Sequence, residues 1–179
     1  VYVGDGAMSN GQVFEAFNLA SLWNLPVLFI IENNRYGMGT AVNRSAAGKD
    51  LYERATVFGV EGEKINGMDF FEVSQAAIRA RDHIYENSNP YVIEMDTYRY
   101  RGHSMSDPAT YRTKDEVNEM KSNDPLISMK NKLLKDFKIK EDEFTVIETN
   151  IKKQIKEVEK FSLESPLPDL NELFTEVYL

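Results

Sequence analysis

Cysteine is missing from all 179 positions of the sequence. That excludes a disulfide-stapled module, a zinc finger, an iron–sulfur centre and a thiol nucleophile together. An excess of positive charge is also missing. Lys and Arg number 21 against 29 Asp and Glu, a net charge of −8, which argues against nucleic acid as a partner. No apolar run approaches the roughly 20 residues that cross a bilayer, so no membrane partner is expected. Nothing basic precedes an apolar stretch at the start, and a secretory signal is not expected there. The chain opens without an initiator Met on Val1-Tyr2-Val3, which reads as a strand, with Gly4 beginning the turn after it. The expectation is an N-terminally truncated chain, the C-terminal part of a longer protein. Internal repeats and low-complexity tracts are lacking. What is present is a hydrophobic fraction of 42%, ordinary for a globular protein and enough for one domain, residues 1–179, with a substantial core.

Ser9 and Gln12 have the spacing of a capping box, with Ser9 as N-cap. The helix after it should bury Val13, Ala16, Phe17, Ala20 and Trp23 and end before Pro26. Val27-Leu28-Phe29-Ile30-Ile31 is a continuous apolar run suited to a central parallel strand. Strand, helix and strand in this order form a right-handed βαβ unit. Residues 33–67 read mainly as loop, with 50–58 as the best helical stretch. Asp69, with Glu72 as acidic partner, opens a further helix carrying Val73, Ala77, Ala80 and Ile84, which ends within 87–90. His83 on that helix reads as a surface residue. Tyr91-Val92-Ile93-Glu94-Met95 is another strand, so the chain is α/β with a mostly parallel sheet. Residues 97–113 have no period and read as a long loop that is ordered or can become so. Residues 114–137 and 141–161 read as charged helices in a C-terminal extension over 114–179. The stripe Ile147, Ile151, Ile155 and Val158 reads as packing rather than a partner groove.

The chemistry sits where strands end. Gly4-Asp5-Gly6 follows the first strand and Glu32-Asn33-Asn34 the second, and ligands bind outside the carboxyl ends of strands in an open parallel sheet. A carboxylate from Asp5 and an amide oxygen from Asn34 make a hard-oxygen pair suited to Mg²⁺ or Ca²⁺. Gly6 and Ala7 can bring N–H groups close to a phosphate near a helix N-terminus. The combination points to a metal-bridged diphosphate. A haloacid-dehalogenase-type phosphatase also carries Gly-Asp-Gly. Its following Asn-Asp is absent here, as is a nucleophile motif of paired aspartates.

Gly4-Asp5-Gly6 through Asn33-Asn34 resembles the signature of thiamine diphosphate-binding proteins. Further stretches sharpen the likeness: Glu32-Asn33-Asn34-Arg35-Tyr36-Gly37-Met38-Gly39-Thr40, Asn66-Gly67-Met68-Asp69, and Tyr98-Arg99-Tyr100-Arg101-Gly102-His103-Ser104-Met105-Ser106-Asp107-Pro108. Together they resemble the α-subunit family of thiamine-dependent 2-oxo acid dehydrogenases, in its pyruvate dehydrogenase form, from Val3 to about Pro125 and more loosely beyond. The resemblance implies a three-layer α/β thiamine diphosphate-binding fold. It implies that Asp5 and Asn34 hold Mg²⁺ by their side chains and Tyr36 by its carbonyl, and that Gly6 and Ala7 touch the diphosphate. His103 would be a catalytic and cofactor-contacting residue on an entrance loop over 97–113. Ser104, beside it, would be the second catalytic residue and stands at the position phosphorylated in mitochondrial relatives. Thr110 is nearest to the second serine of that pattern. Arg99, Arg101, Arg112 and Lys114 would help the loop to order over an anionic cofactor and a keto-acid substrate.

The activity implied is oxidative decarboxylation of pyruvate, with acetyl transfer to a lipoyl group on an acetyltransferase component. Acetoin and branched-chain 2-oxo acid dehydrogenases are the alternatives within the family, and a catalytically silent scaffold is the alternative outside it. The family assembles as an α₂β₂ heterotetramer whose β subunit supplies the carboxylate that activates the cofactor, so the chain alone is expected to be inactive. The compartment would be the cytoplasm in a bacterium or the mitochondrial matrix in a eukaryote.

Overall fold

The computed structural model describes residues 1–48 and 50–175. The end of the extension expected over 114–179 therefore lies outside the described residues. The chain divides into two compact units, one from Val1 to Asn131 and a second beginning at Lys132.

The first unit is built on a parallel sheet of strands β1 (Tyr2–Gly4), β2 (Leu28–Asn33), β5 (Glu61–Asn66) and β6 (Tyr91–Asp96), in the order β1-β2-β6-β5. A separate hairpin pairs β3 (Tyr36–Gly37) with β4 (Thr40–Ala41). Helices α1 (Gly11–Leu22), α2 (Val42–Ser45), α3 (Glu53–Thr56) and α4 (Phe70–Asn87) connect these strands.

Successive strand residues face opposite ways, and the two faces carry separate cores. On one face Phe29, Ile31 and Val92 pack with Phe17 and Ala20 of α1, Ala55 of α3 and Leu51. On the other, Ile65 and Ile93 pack with Ala76 and Ala80 of α4. Helices on both faces of a parallel sheet give the three layers expected.

The local readings need several corrections. Asn10, not Ser9, caps α1, with its Oδ1 accepting from the Gln12 N–H at 3.0 Å. Ser9 instead closes a 3-10 turn, Asp5–Ser9, inserted between strand and helix. Ala16 is exposed and Trp23 is 61% exposed, so α1 buries a narrower stripe than its apolar spacing suggests. On α4 the buried alanines are Ala76 and Ala80, and Ala77 faces water. Its cap is as expected: Asp69 accepts from Phe71 and Glu72, while the Glu72 carboxylate reaches the Asn66 N–H instead of the cap's own.

Strand β5 lies within the expected loop, since Glu61-Gly62-Glu63-Lys64 is unlike a strand. It lies at a sheet edge where only Ile65 is buried, so charge is tolerated along most of it. Gly62 is needed there, since a Cβ would collide with the Val92 carbonyl oxygen. The helix expected over 50–58 shortens to α3. His83 is half-buried, its ring 5.0 Å from that of Tyr91.

The stretch 114–137 is two helices, α5 (Lys114–Ser122) and α6 (Pro125–Asp136), because Pro125 cannot continue α5 and instead starts α6. In the second unit α7 (Glu141–Glu164) leaves its apolar stripe open: Ile147, Ile151, Ile155 and Val158 are 50–62% exposed. Among the described residues, no helix is long and apolar enough to cross a membrane.

Candidate functional site

The register pairs Gly4 with Glu32, so β1 and β2 end side by side and release Asp5 and Asn34 from the same edge of the sheet. The hairpin after Asn34 folds back onto the 3-10 turn. A Cβ on Gly6 would lie 3.2 Å from the Gly37 Cα, and one on Gly37 would lie 3.0 Å from the Gly6 Cα. Neither residue can carry a side chain without separating the two segments. Around this contact lies an open cavity of about 490 Å³, whose wall includes Asp5, Gly6, Asn34, Tyr36, Arg99 and His103.

Asp5 is only 5% exposed, and its Oδ2 has no hydrogen-bond partner among the described residues. Burial pushes its carboxyl above the ordinary carboxylate value. The backbone N–H groups of Asp5 and Asn34, and then the Arg99 charge, act in the opposite direction. Native proteins seldom leave a buried polar atom unpaired, and a carboxylate oxygen of this kind suits a cation.

The Asn34 Oδ1 accepts from the Tyr36 N–H at 3.3 Å. Residues Arg35 and Met38, on either side of Tyr36-Gly37, have positive φ values of 73° and 55°. The Tyr36 hydroxyl donates to Glu116 of α5 at 3.0 Å, and the Tyr98 hydroxyl donates to the same carboxylate at 2.9 Å. Burial, and then the Glu116 contact, raises both phenols above their ordinary value, so both remain donors.

Arg99 bridges the hairpin and the loop over 97–113. Its guanidinium donates to the carbonyls of Tyr36 at 3.4 Å and Met38 at 2.7 Å, and to the Tyr111 hydroxyl at 3.0 Å. It also lies 3.4 Å from His103 Nδ1. Arginine has only donors, so Nδ1 is the accepting atom of that contact.

Asp5, Gly6, Asn34, Tyr36 and His103 are thus brought together on one wall. Ala7 is exposed on the 3-10 turn, and its carbonyl accepts from Asn10. Ser104 is exposed and pairs with Ser106 at 3.1 Å. Neither is on the cavity wall. The loop cations do not converge, because Arg112 is occupied by the carbonyls of Arg99, Tyr100 and Arg101 and lies over the rings of Tyr98 and Tyr111. Sequence reasoning overlooked Glu116, and it read Glu94 only as part of a strand. A lone acid inside an apolar strand was the available signal for Glu94.

Residues 1–171 match the dehydrogenase E1 component family. The chain belongs to that family. It is 51% identical over 177 residues to the pyruvate dehydrogenase E1 component subunit alpha of Rickettsia felis, covering 99% of this chain and 54% of that protein. The Rhizobium meliloti protein of the same name is 46% identical over 99% of this chain and 51% of its own length. A mitochondrial one from Dictyostelium discoideum is 47% identical over 98% of this chain and 47% of its own length. The chain spans about half the length of the curated relatives it matches.

For this family the donor chemistry can be tested on the site itself. Among the described residues there is no cluster of three acidic, histidine or cysteine side chains able to hold a metal. The available set is one buried, unpartnered carboxylate oxygen, one amide oxygen and one backbone carbonyl. All three are hard oxygens, which fits Mg²⁺ and leaves positions for phosphate and water. The close Gly6–Gly37 contact leaves this part of the cavity wall as backbone without side chains.

Proposed function

We propose that this chain is the cofactor-holding part of a pyruvate dehydrogenase α subunit. The reading is carried by the buried, unpartnered Asp5 Oδ2, set beside Asn34 and Tyr36 at the carboxyl edge of a parallel sheet. Asp5 and Asn34 would hold Mg²⁺ by their side chains and Tyr36 by its carbonyl. Gly6, on the cavity wall, and Ala7, on the 3-10 turn beside it, would offer N–H groups to the diphosphate. Thiamine diphosphate, when bound, supplies the electron sink that lets a 2-oxo acid lose carbon dioxide.

The chain's own residues then have separable tasks. Asp5 sets a negative charge against the cation. Arg99 gives the site positive charge and holds the hairpin's carbonyls. His103, whose ring lies on the cavity wall, would donate a hydrogen bond to the substrate or take part in proton transfer. The loop over 97–113, including Ser104, would limit water at the entrance. A β subunit in an α₂β₂ assembly and a lipoyl-bearing acetyltransferase component are the proposed partners. The compartment is the bacterial cytoplasm or the mitochondrial matrix.

Pyruvate is preferred to acetoin or a branched-chain 2-oxo acid because the relatives above carry the pyruvate name. The test is co-expression of the full-length subunit with its β partner, followed by substrate-dependent reduction of an artificial electron acceptor. Turnover of pyruvate supports the reading. Turnover of acetoin without pyruvate overturns the substrate, and cofactor binding with no turnover of any of the three favours the silent scaffold.

A further inference from the structure

Glu94 stands inside β6 and is 0% exposed. Its Oε1 accepts from the Asn33 side-chain amide at 2.7 Å, and its Oε2 accepts from the N–H groups of Leu51 and Tyr52 at 2.6 and 3.0 Å. Lys64 of β5 brings its Nζ to 3.6 Å, and that ammonium is itself fixed by Asp50 at 2.7 Å. The charge is therefore buried but surrounded by donors.

Asn33 passes this order on. It ends β2 at 7% exposure, beside Asp96 of β6 in the register. With Nδ2 committed to Glu94, its Oδ1 is left to accept from the Arg35 N–H at 3.1 Å. The amide has only one useful orientation, since a pure acceptor faces one side and a donor the other. Arg35 is held at φ 73°, a backbone region that residues with side chains avoid unless the surroundings enforce it. This turn carries Asn34 on one side and Tyr36 on the other.

We propose that Glu94 is a positioning residue for the metal site, acting through Asn33 to lock the left-handed turn at Arg35 that presents the Asn34 side chain and the Tyr36 carbonyl. The proposal rests on reading Asn34 and Tyr36 as metal ligands. It differs from a plain buried ion pair with Lys64, because it depends on the sense of each hydrogen bond from Glu94 to Asn33 to Arg35.

That sense can be inverted and restored. In Glu94→Gln the new amide donates toward Asn33, which must turn its Oδ1 to meet it and so points Nδ2 at the Arg35 N–H. In Asn33→Asp two acceptors face each other. With both substitutions the glutamine donates to the aspartate, whose other oxygen accepts from Arg35, and the relay is whole again with the same net charge.

The three variants are to be made in the full-length subunit assembled with its partner. Hydrogen exchange at Arg35 and Tyr36 is read without cofactor, and Mg²⁺-dependent affinity for thiamine diphosphate is read by calorimetry. Each single substitution should accelerate exchange at Arg35 and weaken affinity by about 10- to 100-fold, the usual scale for a group that orients a metal ligand. The doubly substituted protein should recover both. A double variant no better than the weaker single would overturn the relay. If Glu94→Gln fails to assemble, a double variant that assembles and binds supports the proposal, and failure of both overturns it. Asp5→Ala separates the readings. If it leaves affinity unchanged, the metal site is misassigned and the proposal falls with it. If it lowers affinity while Glu94→Gln does not, the site stands and the relay is overturned.

Discussion

In the parallel strands and just beyond them, Asp5, Asn33 and Glu94 are 5%, 7% and 0% exposed, and hydrogen bonds run from Glu94 through Asn33 to the Arg35 backbone. In the loop over 97–113, His103 and Ser104 are exposed, and order comes from side chains folded onto carbonyls. Asp107 holds the His103 and Ala109 N–H groups, while Arg112 holds the carbonyls of Arg99, Tyr100 and Arg101. Opening the first region would uncover core. Opening the second breaks contacts that water can replace. The difference suits the roles proposed above, a holder that must be set in advance and an entrance that must move.

Breaking the holder should have the largest effect. Asp5→Ala removes the carboxylate on the cavity wall and should lower Mg²⁺-dependent affinity for thiamine diphosphate by about 10²-fold or more, the scale for losing one partner of a buried charge interaction. Asn34→Ala would remove the proposed neutral ligand and should lower it by about 10-fold, the scale of one hydrogen-bond-sized contact. Calorimetric titration of the assembled protein measures both. The fold should survive Asp5→Ala, because the lost side chain left a buried oxygen unpaired. Unchanged affinity in Asp5→Ala would remove the site assignment.

The entrance should respond in kinetics rather than in binding. His103→Ala is expected to reduce turnover by about 10²-fold, the scale of one positioned acid–base group, while cofactor affinity changes far less. Steady-state kinetics alongside calorimetry separates the two. Equal loss of binding and turnover would make His103 a structural anchor, and the contrast between holder and entrance would collapse.

Much of the holder was legible in the sequence because its residues are consecutive with strand ends. Gly4-Asp5-Gly6 and Asn33-Asn34 follow apolar runs, and a parallel sheet then places them together. The orienting residues were less legible. Glu94 and Asn33 meet across 61 positions through strand pairing, and Glu116 reaches Tyr36 across 80. No local pattern encodes such distances. The edge strand β5 was missed for a related reason, since its charged residues obey an edge position that only the sheet order reveals. The cap of α1 moved by one residue because a 3-10 turn, invisible in the periodicity, consumes Ser9.

The smallest expected effect is acid release of the entrance. The Asp107 carboxylate accepts from the His103 and Ala109 N–H groups at 2.7 and 2.8 Å and from the Tyr111 hydroxyl at 2.9 Å. The His103 N–H, then the Ala109 N–H, then the Tyr111 hydroxyl hold its carboxyl below the ordinary value of 3.8. A lowered carboxylate stabilises the ordered loop at pH above the unperturbed value, and that contribution is lost as pH falls through the lowered one. Proteolysis within 97–113 by an acid-active protease should therefore accelerate below about pH 3.8, before the sheet core is cut. Asp107→Asn keeps a single acceptor oxygen and should bring about 3- to 10-fold faster cleavage of the same segment at neutral pH, the scale of one or two exposed hydrogen bonds. Cofactor affinity should stay near that of the unsubstituted protein, because among the described residues the Asp107 hydrogen bonds go to His103, Ala109 and Tyr111 and not to Asp5 or Asn34. An Asp107→Asn variant whose cofactor affinity fell as far as that of Asn34→Ala would show that the loop shares in holding the metal.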